Sequence, residues 1–381
     1  MTTGTELRLI AAGLAATATP HQILLTGGPI SLRVSSTSPA PLTALAAATT
    51  PYLRPTGPDH PQRTPELVRI YPDPVLAERL HQLADGSADH GFRLVRVRAG
   101  AGERYREAFL LWNDATPHTS HLVLDHPGPA TDRVALRVVR GIAGRCLITA
   151  GWVPLHAAAA LTSAGLIVLA GPSGAGKTTA LLQLLAGRLG QAFVANDKVY
   201  LSIGDDGVHS RALPTSLALR PNTLAMFPAI SDPAAQAASS HLDNHPGRAG
   251  ADRRLLLSPR RFAEAFRVAL HPGGPVTAIV AIRFHGADRP SRSRRADPTQ
   301  AVDAVTTGYL DDWFIDEPHE HLRLGAHPES LRAAHRGTLR RITAAIPIIE
   351  LHTGAGTPHA LQEIITNLKR SADQAELGSG P

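Results

Sequence analysis

Eight residues constrain this chain more than any others. Gly171-Pro172-Ser173-Gly174-Ala175-Gly176-Lys177-Thr178 fits the pattern G-x-x-x-x-G-K-[ST] at every defined position. The apolar run 166–170 precedes it and the helical run 180–185 follows it. A strand, a glycine-rich loop and a helix in that order aim the loop amides and the start of the helix at one point, which suits phosphate oxygens. The glycines let the backbone pass close to an anion, Lys177 can reach the β- and γ-phosphates of a nucleotide, and the Thr178 hydroxyl can sit on Mg²⁺. The expected nucleotide-binding set is Gly171, Ser173, Gly174, Ala175, Gly176, Lys177, Thr178 and Thr179.

A chain of 381 residues with 43% hydrophobic content has room for two domains with proper cores. Its one cysteine, Cys146, rules out a disulfide framework and any cysteine-based metal site, and fits a reducing, cytoplasmic compartment. Positive charge comes almost wholly from arginine, with lysine only at 177, 198 and 369. A retained lysine in such a chain suits a place that needs a compact ammonium, as a phosphate does. The net charge of +6, the 4% aromatic content and the dispersal of the arginines argue against nucleic acid as a partner. Residues 9–16 are short and broken by Gly13, so no secretory signal is read there. The uncharged run 146–176 has the length of a membrane span but contains Pro154, several glycines and the loop itself, so it reads as buried strand and no membrane is expected.

Residues 1–145 read as a smaller β-rich domain with possible substrate recognition. Strands are expected at 22–25, 30–34, 92–97 and 108–112, and a loop over the Pro-, Ala- and Thr-rich stretch 39–61. His118 and His121 have an i, i+3 spacing open to a metal, although surface histidines explain it more simply in a chain with nineteen His. Across 131–145 the period becomes helical, with Asp132 able to cap and Val134, Val138, Val139 and Ile142 on one face.

Residues 146–381 read as the nucleotide-binding domain. A strand is expected over 152–160, carrying His156, then a turn at 162–165 and the loop strand. After the loop helix, a strand over 192–195 ends in Asn196-Asp197-Lys198, and an acid at that strand end suits Mg²⁺ coordination or a general base. Residues 221–254 look irregular. The strand 276–284 leads into a basic loop with Arg283, Arg289, Arg292, Arg294 and Arg295, able to hold triphosphate or an acidic substrate or simply to be solvated. Asp311, Asp312, Asp316 and Glu317 surround Trp313 and Phe314, open to a basic peptide or to a loop anchored by two aromatics. Helices over 298–307, 329–345 and 358–368, with a strand over 347–351, close the chain.

Leu155-His156-Ala157-Ala158, the loop Gly171 to Thr178 and a strand ending in Asn196-Asp197 together resemble the HPr kinase/phosphorylase family and its HPr-kinase-like relatives. His156 stands fifteen residues ahead of Gly171, as in that family. The likeness covers roughly residues 150–370. It implies an α/β fold with a P-loop kinase core akin to phosphoenolpyruvate carboxykinase, ATP and Mg²⁺ as cofactors, and transfer of the γ-phosphate to a hydroxyl of a peptide, a protein or a small molecule. On that resemblance Lys177 and Thr178 bind the triphosphate and its metal, Asp197 assists deprotonation of the acceptor or holds Mg²⁺, and His156 lies near the γ-phosphate. It also implies a homo-oligomer. Two departures stand out: Asn196 replaces the first aspartate of the family pair, and residues 212–217 carry no counterpart of the family's L-E-I-R-G-like signature. Relatives without that signature resemble tailoring kinases of ribosomally made peptides. An ATP-binding sensor or scaffold without transfer stays open as the alternative.

Overall fold

The computed structural model describes residues 3–56, 65–83, 88–89, 92–98, 107–113, 118–126, 128–227, 230, 255–306 and 328–378. The fold is mixed α/β, and the chain divides into two compact units between Ala150 and Gly151.

In the first unit an eight-stranded sheet runs in the order Arg54–Thr56, His21–Gly27, Ile30–Ser36, Glu66–Pro72, Thr119–Leu124, Glu107–Asn113, Phe92–Arg98, Ala88–Asp89. Among the described residues only the pairs on either side of Glu66–Pro72 are parallel. The stretch expected as a loop over 39–61 instead begins with the helix Pro39–Thr49. Prolines in the first turn lose no helical hydrogen bond there, and the leucines at 42 and 45 supply a buried stripe. The helix Pro129–Thr149 starts earlier than expected, with Gly128 rather than Asp132 at the cap, while Val134, Val138, Val139 and Ile142 are all buried as the period requires. His118 and His121 turn to different partners. The first lies 3.0 Å from Glu66, and the second is buried with its Nδ1 3.2 Å from the Tyr71 hydroxyl, so they share no metal site.

The second unit is built on a ten-stranded sheet in two parts. One part takes the order Ala269–Leu270, Gly190–Ala195, Ala157–Thr162, Gly165–Ala170, Gly273–Phe284, Ile348–Thr353, Arg292–Arg295. The start of Gly273–Phe284 leaves it to pair with Gly207–Ala212, which continues through Val199–Gly204 to Val153–Leu155. Strands covered on both faces read as continuous apolar runs. That is why Ala157, Ala158, Ala159 and Ala160 are all buried, and why the uncharged run 146–176 resembles a membrane span. Among the described residues no helix is long and apolar enough to cross a membrane.

The helices Lys177–Ala186 and Thr357–Gly378 cover one face, where Leu181 and Ile364 belong to the same core as Ile167, Leu169, Val280, Ile282 and Leu351. Phe193, Phe262 and Phe266 pack in sequence with tilted rings, the centroids 4.9 Å apart at each step. Such pairs add about 0.5–1.5 kcal/mol each beyond area burial. They anchor the strand Gly190–Ala195, whose end carries Asn196 and Asp197.

Three expectations change here. The strand expected over 152–160 is broken at His156 into Val153–Leu155 and Ala157–Thr162, which belong to different parts of the sheet. The expected basic loop contains the edge strand Arg292–Arg295, held by backbone pairing to Ile348–Thr353. Residues 221–254 begin with the helix Pro221–Ala225. Most of the rest of that stretch, and the acidic cluster 311–317, lie outside the described residues.

Candidate functional site

The loop 171–176 joins the strand Gly165–Ala170 to the helix Lys177–Ala186. Its glycines at 171, 174 and 176 all have positive φ, and two of them show what the backbone requires. At Gly171, φ is 153°, and an added Cβ would stand 2.5 Å from the backbone oxygen of Ile282 on the neighbouring strand. Gly176 caps the helix in the left-handed conformation, φ 94°, where L-residues are disfavoured. Pro172, Ser173 and Gly174 form an exposed tip, while Ala175 is buried under it.

The close approach at Gly171 gives a direct test. Gly171→Ala is expected to cost about 1–3 kcal/mol, because both the backbone conformation and the Ile282 carbonyl oppose it. Gly337, inside the helix Pro328–Ala345 with nothing within 4 Å of an added Cβ, is the control. Gly337→Ala should raise stability by roughly 0.5–1 kcal/mol. Equal denaturation midpoints for the Gly171 variant and the wild type would remove the steric account of the loop.

Lys177 is buried, 7% exposed, and its ammonium donates to the carbonyls of Gly171 and Pro172, both at 2.8 Å. Burial lowers its pKa to about 8, with the nearby Asp197 carboxylate acting in the opposite direction. Thr178, one residue on, donates its hydroxyl hydrogen to Asn196 Oδ1 at 3.0 Å.

Asp197 and His156 sit where two chain segments cross from one part of the sheet to the other. On one side of them Ala159 pairs with Ala195, and on the other Leu155 pairs with Val199. Between these rungs His156 Nε2 lies 3.4 Å from Asp197 Oδ1, with the two side chains 30% and 44% exposed. Asp197 holds a positive φ of 83°. Such strain in a non-glycine residue persists when its surroundings over-determine it, and it concentrates at functional sites. The turned backbone lets adjacent residues address different partners: Asn196 meets Thr178 and Asp197 meets His156.

The structure thus brings Lys177, Thr178, Asp197 and His156 to one edge of the sheet. Among the described residues no group of three or more His, Cys, Asp or Glu is placed to hold a metal. The side chains that could hold Mg²⁺, a hard cation that keeps several waters and takes one or two protein oxygens beside substrate phosphates, are those of Thr178 and Asp197. Sequence reasoning left two contributions unnoticed. Asn196 is a tether for Thr178, and the ends of the strands Gly273–Phe284 and Ile348–Thr353 support the loop through the Ile282 carbonyl and through Thr353, whose Oγ1 lies 3.7 Å from a Cβ placed on Gly176. Only the polar character of Asn196 at a strand end signalled the first; pairing register decides the second. No protein-family model matches the chain, and no curated protein matches it.

Proposed function

We propose that the second unit is an ATP- and Mg²⁺-dependent phosphotransferase with a P-loop kinase core, moving the γ-phosphate to a hydroxyl of a peptide or protein, serine in the first place. The observation that carries this reading is the His156–Asp197 contact of 3.4 Å at the same sheet edge as the lysine-bearing loop. A carboxylate with an imidazole behind it, next to a phosphate cradle, is the equipment for taking a proton from an acceptor hydroxyl.

In this mechanism the loop amides and Lys177 hold the triphosphate, while Thr178, kept in place by Asn196, would hold Mg²⁺. When bound, Mg²⁺ neutralises charge on the phosphate oxygens. Asp197 accepts the proton of the acceptor hydroxyl, and His156 orients that carboxylate. The acceptor oxygen forms its bond to the γ-phosphorus as the bond to the bridging oxygen breaks, and ADP leaves with the electron pair. His156→Ala should lower turnover less than loss of Asp197 does.

Incubation with labelled ATP and serine-containing peptides tests the reading. Transfer by the wild type that Asp197→Ala abolishes is the expected result; no transfer above that variant's level would reject it. A second reading, an ATP-binding protein without transfer, is favoured by Asn196, which cannot serve as a base. It requires tight ATP binding with no turnover.

A further inference from the structure

Beyond the loop, the neighbouring strand ends carry a further cluster of polar groups. Arg283, near the end of the strand Gly273–Phe284, pairs across the ladder with His352, and His352 pairs with Arg292 on the edge strand. Residues paired directly across adjacent strands share a face, so Arg283, His352 and Arg292 form one row. Their face is opposite the one on which Ile282 and Leu351 pack into the core with the loop helix. The His285 ring stands edge-on to His352 with centroids 5.5 Å apart, and Arg289 donates to His285 Nε2 at 3.1 Å.

One arginine of this region is already neutralised: Arg294 binds the buried Glu350 carboxylate at 2.6 and 2.7 Å. Arg283, Arg289 and Arg292 remain exposed, and among the described residues no carboxylate forms an ion pair with them. Cationic side chains gathered in this way repel one another. Arginines on an edge strand also deter unwanted strand pairing. That accounts for Arg292, but not for Arg283 on an interior strand or for Arg289 in the connecting loop.

Position points the same way. Ala281 pairs with Ala170, the residue before Gly171, so Arg283 lies next to the start of the loop. The nucleotide phosphates already have the loop amides and Lys177. We propose that the row Arg283–His352–Arg292, with Arg289, docks acidic side chains of the phosphate acceptor, a peptide carrying Asp or Glu. This inference rests on the phosphotransfer reading for its substrate. Guanidinium groups suit carboxylates through paired, charge-assisted hydrogen bonds. The strand that follows His156 is two strands from Arg283 and four from Arg292. At about 4.8 Å per strand that is roughly 10–19 Å, or about three to six residues of extended peptide. The carboxylates should stand that far from the acceptor hydroxyl.

The test uses two labelled peptides with one serine each: one has glutamates three to six residues from it on both sides, the other glutamines there. Binding is measured by fluorescence anisotropy without nucleotide, and transfer is measured separately. The wild type should bind the glutamate peptide at least about tenfold more tightly. The triple variant Arg283→Ala, Arg289→Ala, Arg292→Ala should erase the difference while ATP affinity stays within about twofold. Replacing the same three residues by lysine should keep part of the preference, which separates lost charge from a damaged fold. Equal binding of the two peptides overturns the proposal. So does a variant that loses ATP affinity tenfold while keeping its peptide preference, because the arginines would then serve the nucleotide. Transfer without preference rejects this site and leaves the kinase reading standing; preference without transfer does the reverse.

Discussion

Asp197→Asn is expected to lower phosphate transfer by roughly 10²–10⁴-fold, the usual contribution of a positioned general base, with ATP affinity changed only slightly. The amide keeps the size and shape of the carboxylate, so the backbone conformation at φ 83° and the contact with His156 can persist. Asparagine also tolerates the left-handed region better than most residues. What disappears is the capacity to accept a proton. Steady-state rates and ATP binding on the same preparation make the check. A variant that turns over at a third of the wild-type rate would move the base elsewhere; one that loses ATP binding as severely as turnover would make Asp197 a metal or nucleotide ligand only.

Lys177→Met should reduce both ATP affinity and turnover, with kcat/KM for ATP down by about 10²–10³-fold, because a cation beside the transferring phosphate would hold the bound nucleotide and stabilise the charge of the transition state more strongly still. Its titration adds a signature. Burial holds the ammonium pKa at about 8, below the 10.5 of an exposed lysine, so the free protein loses this charge as pH rises through about 8. Bound phosphate favours the charged form and raises the pKa again. ATP binding should therefore take up a fraction of a proton that grows towards one as pH rises above 8, and affinity should weaken with rising pH across that range. The nucleotide-free fold follows the opposite sign. It binds fewer protons than the unfolded chain between about 8 and 10.5, so this group makes stability rise with pH there. Calorimetry in two buffers of different ionisation enthalpy measures the uptake; a buffer-independent heat in the wild type at about pH 8.5, or a buffer dependence that persists in the Lys177 variant, would contradict it.

The elements around the loop were legible because their signals are local. Residues 166–185 announce a strand, a glycine turn and a helix without reference to anything distant. The hairpin Ala157–Thr162 with Gly165–Ala170 and the helix Pro328–Ala345 follow from period and punctuation in the same way. The break at His156 was not legible. Leu155 and Ala157 are equally apolar, and only their pairing with different partners, Val199 and Ala170, divides one apparent strand into two. The strand Arg292–Arg295 escaped for a related reason: all four residues are exposed, so no hydrophobic alternation marks them. The helix Pro39–Thr49 was hidden by its prolines, which punctuate a sequence but are harmless in a first turn. At the site, residue types pointed to Lys177, Thr178, Asp197 and His156, whereas the Asn196 tether depends on side-chain geometry that spacing does not encode.

The left-handed turn at Asp197 makes neighbouring positions separate inheritances. Because the backbone sends side chain 196 to the loop threonine and side chain 197 to the histidine, exchanging their identities would put the carboxylate on the wrong partner. An amide at 196 can still hold the threonine, while the acid at 197 has no such substitute for proton transfer. On the proposed phosphotransfer reading, Asp and Asn are therefore exchangeable at the first position, whereas a change at the second would turn a catalyst into a binder.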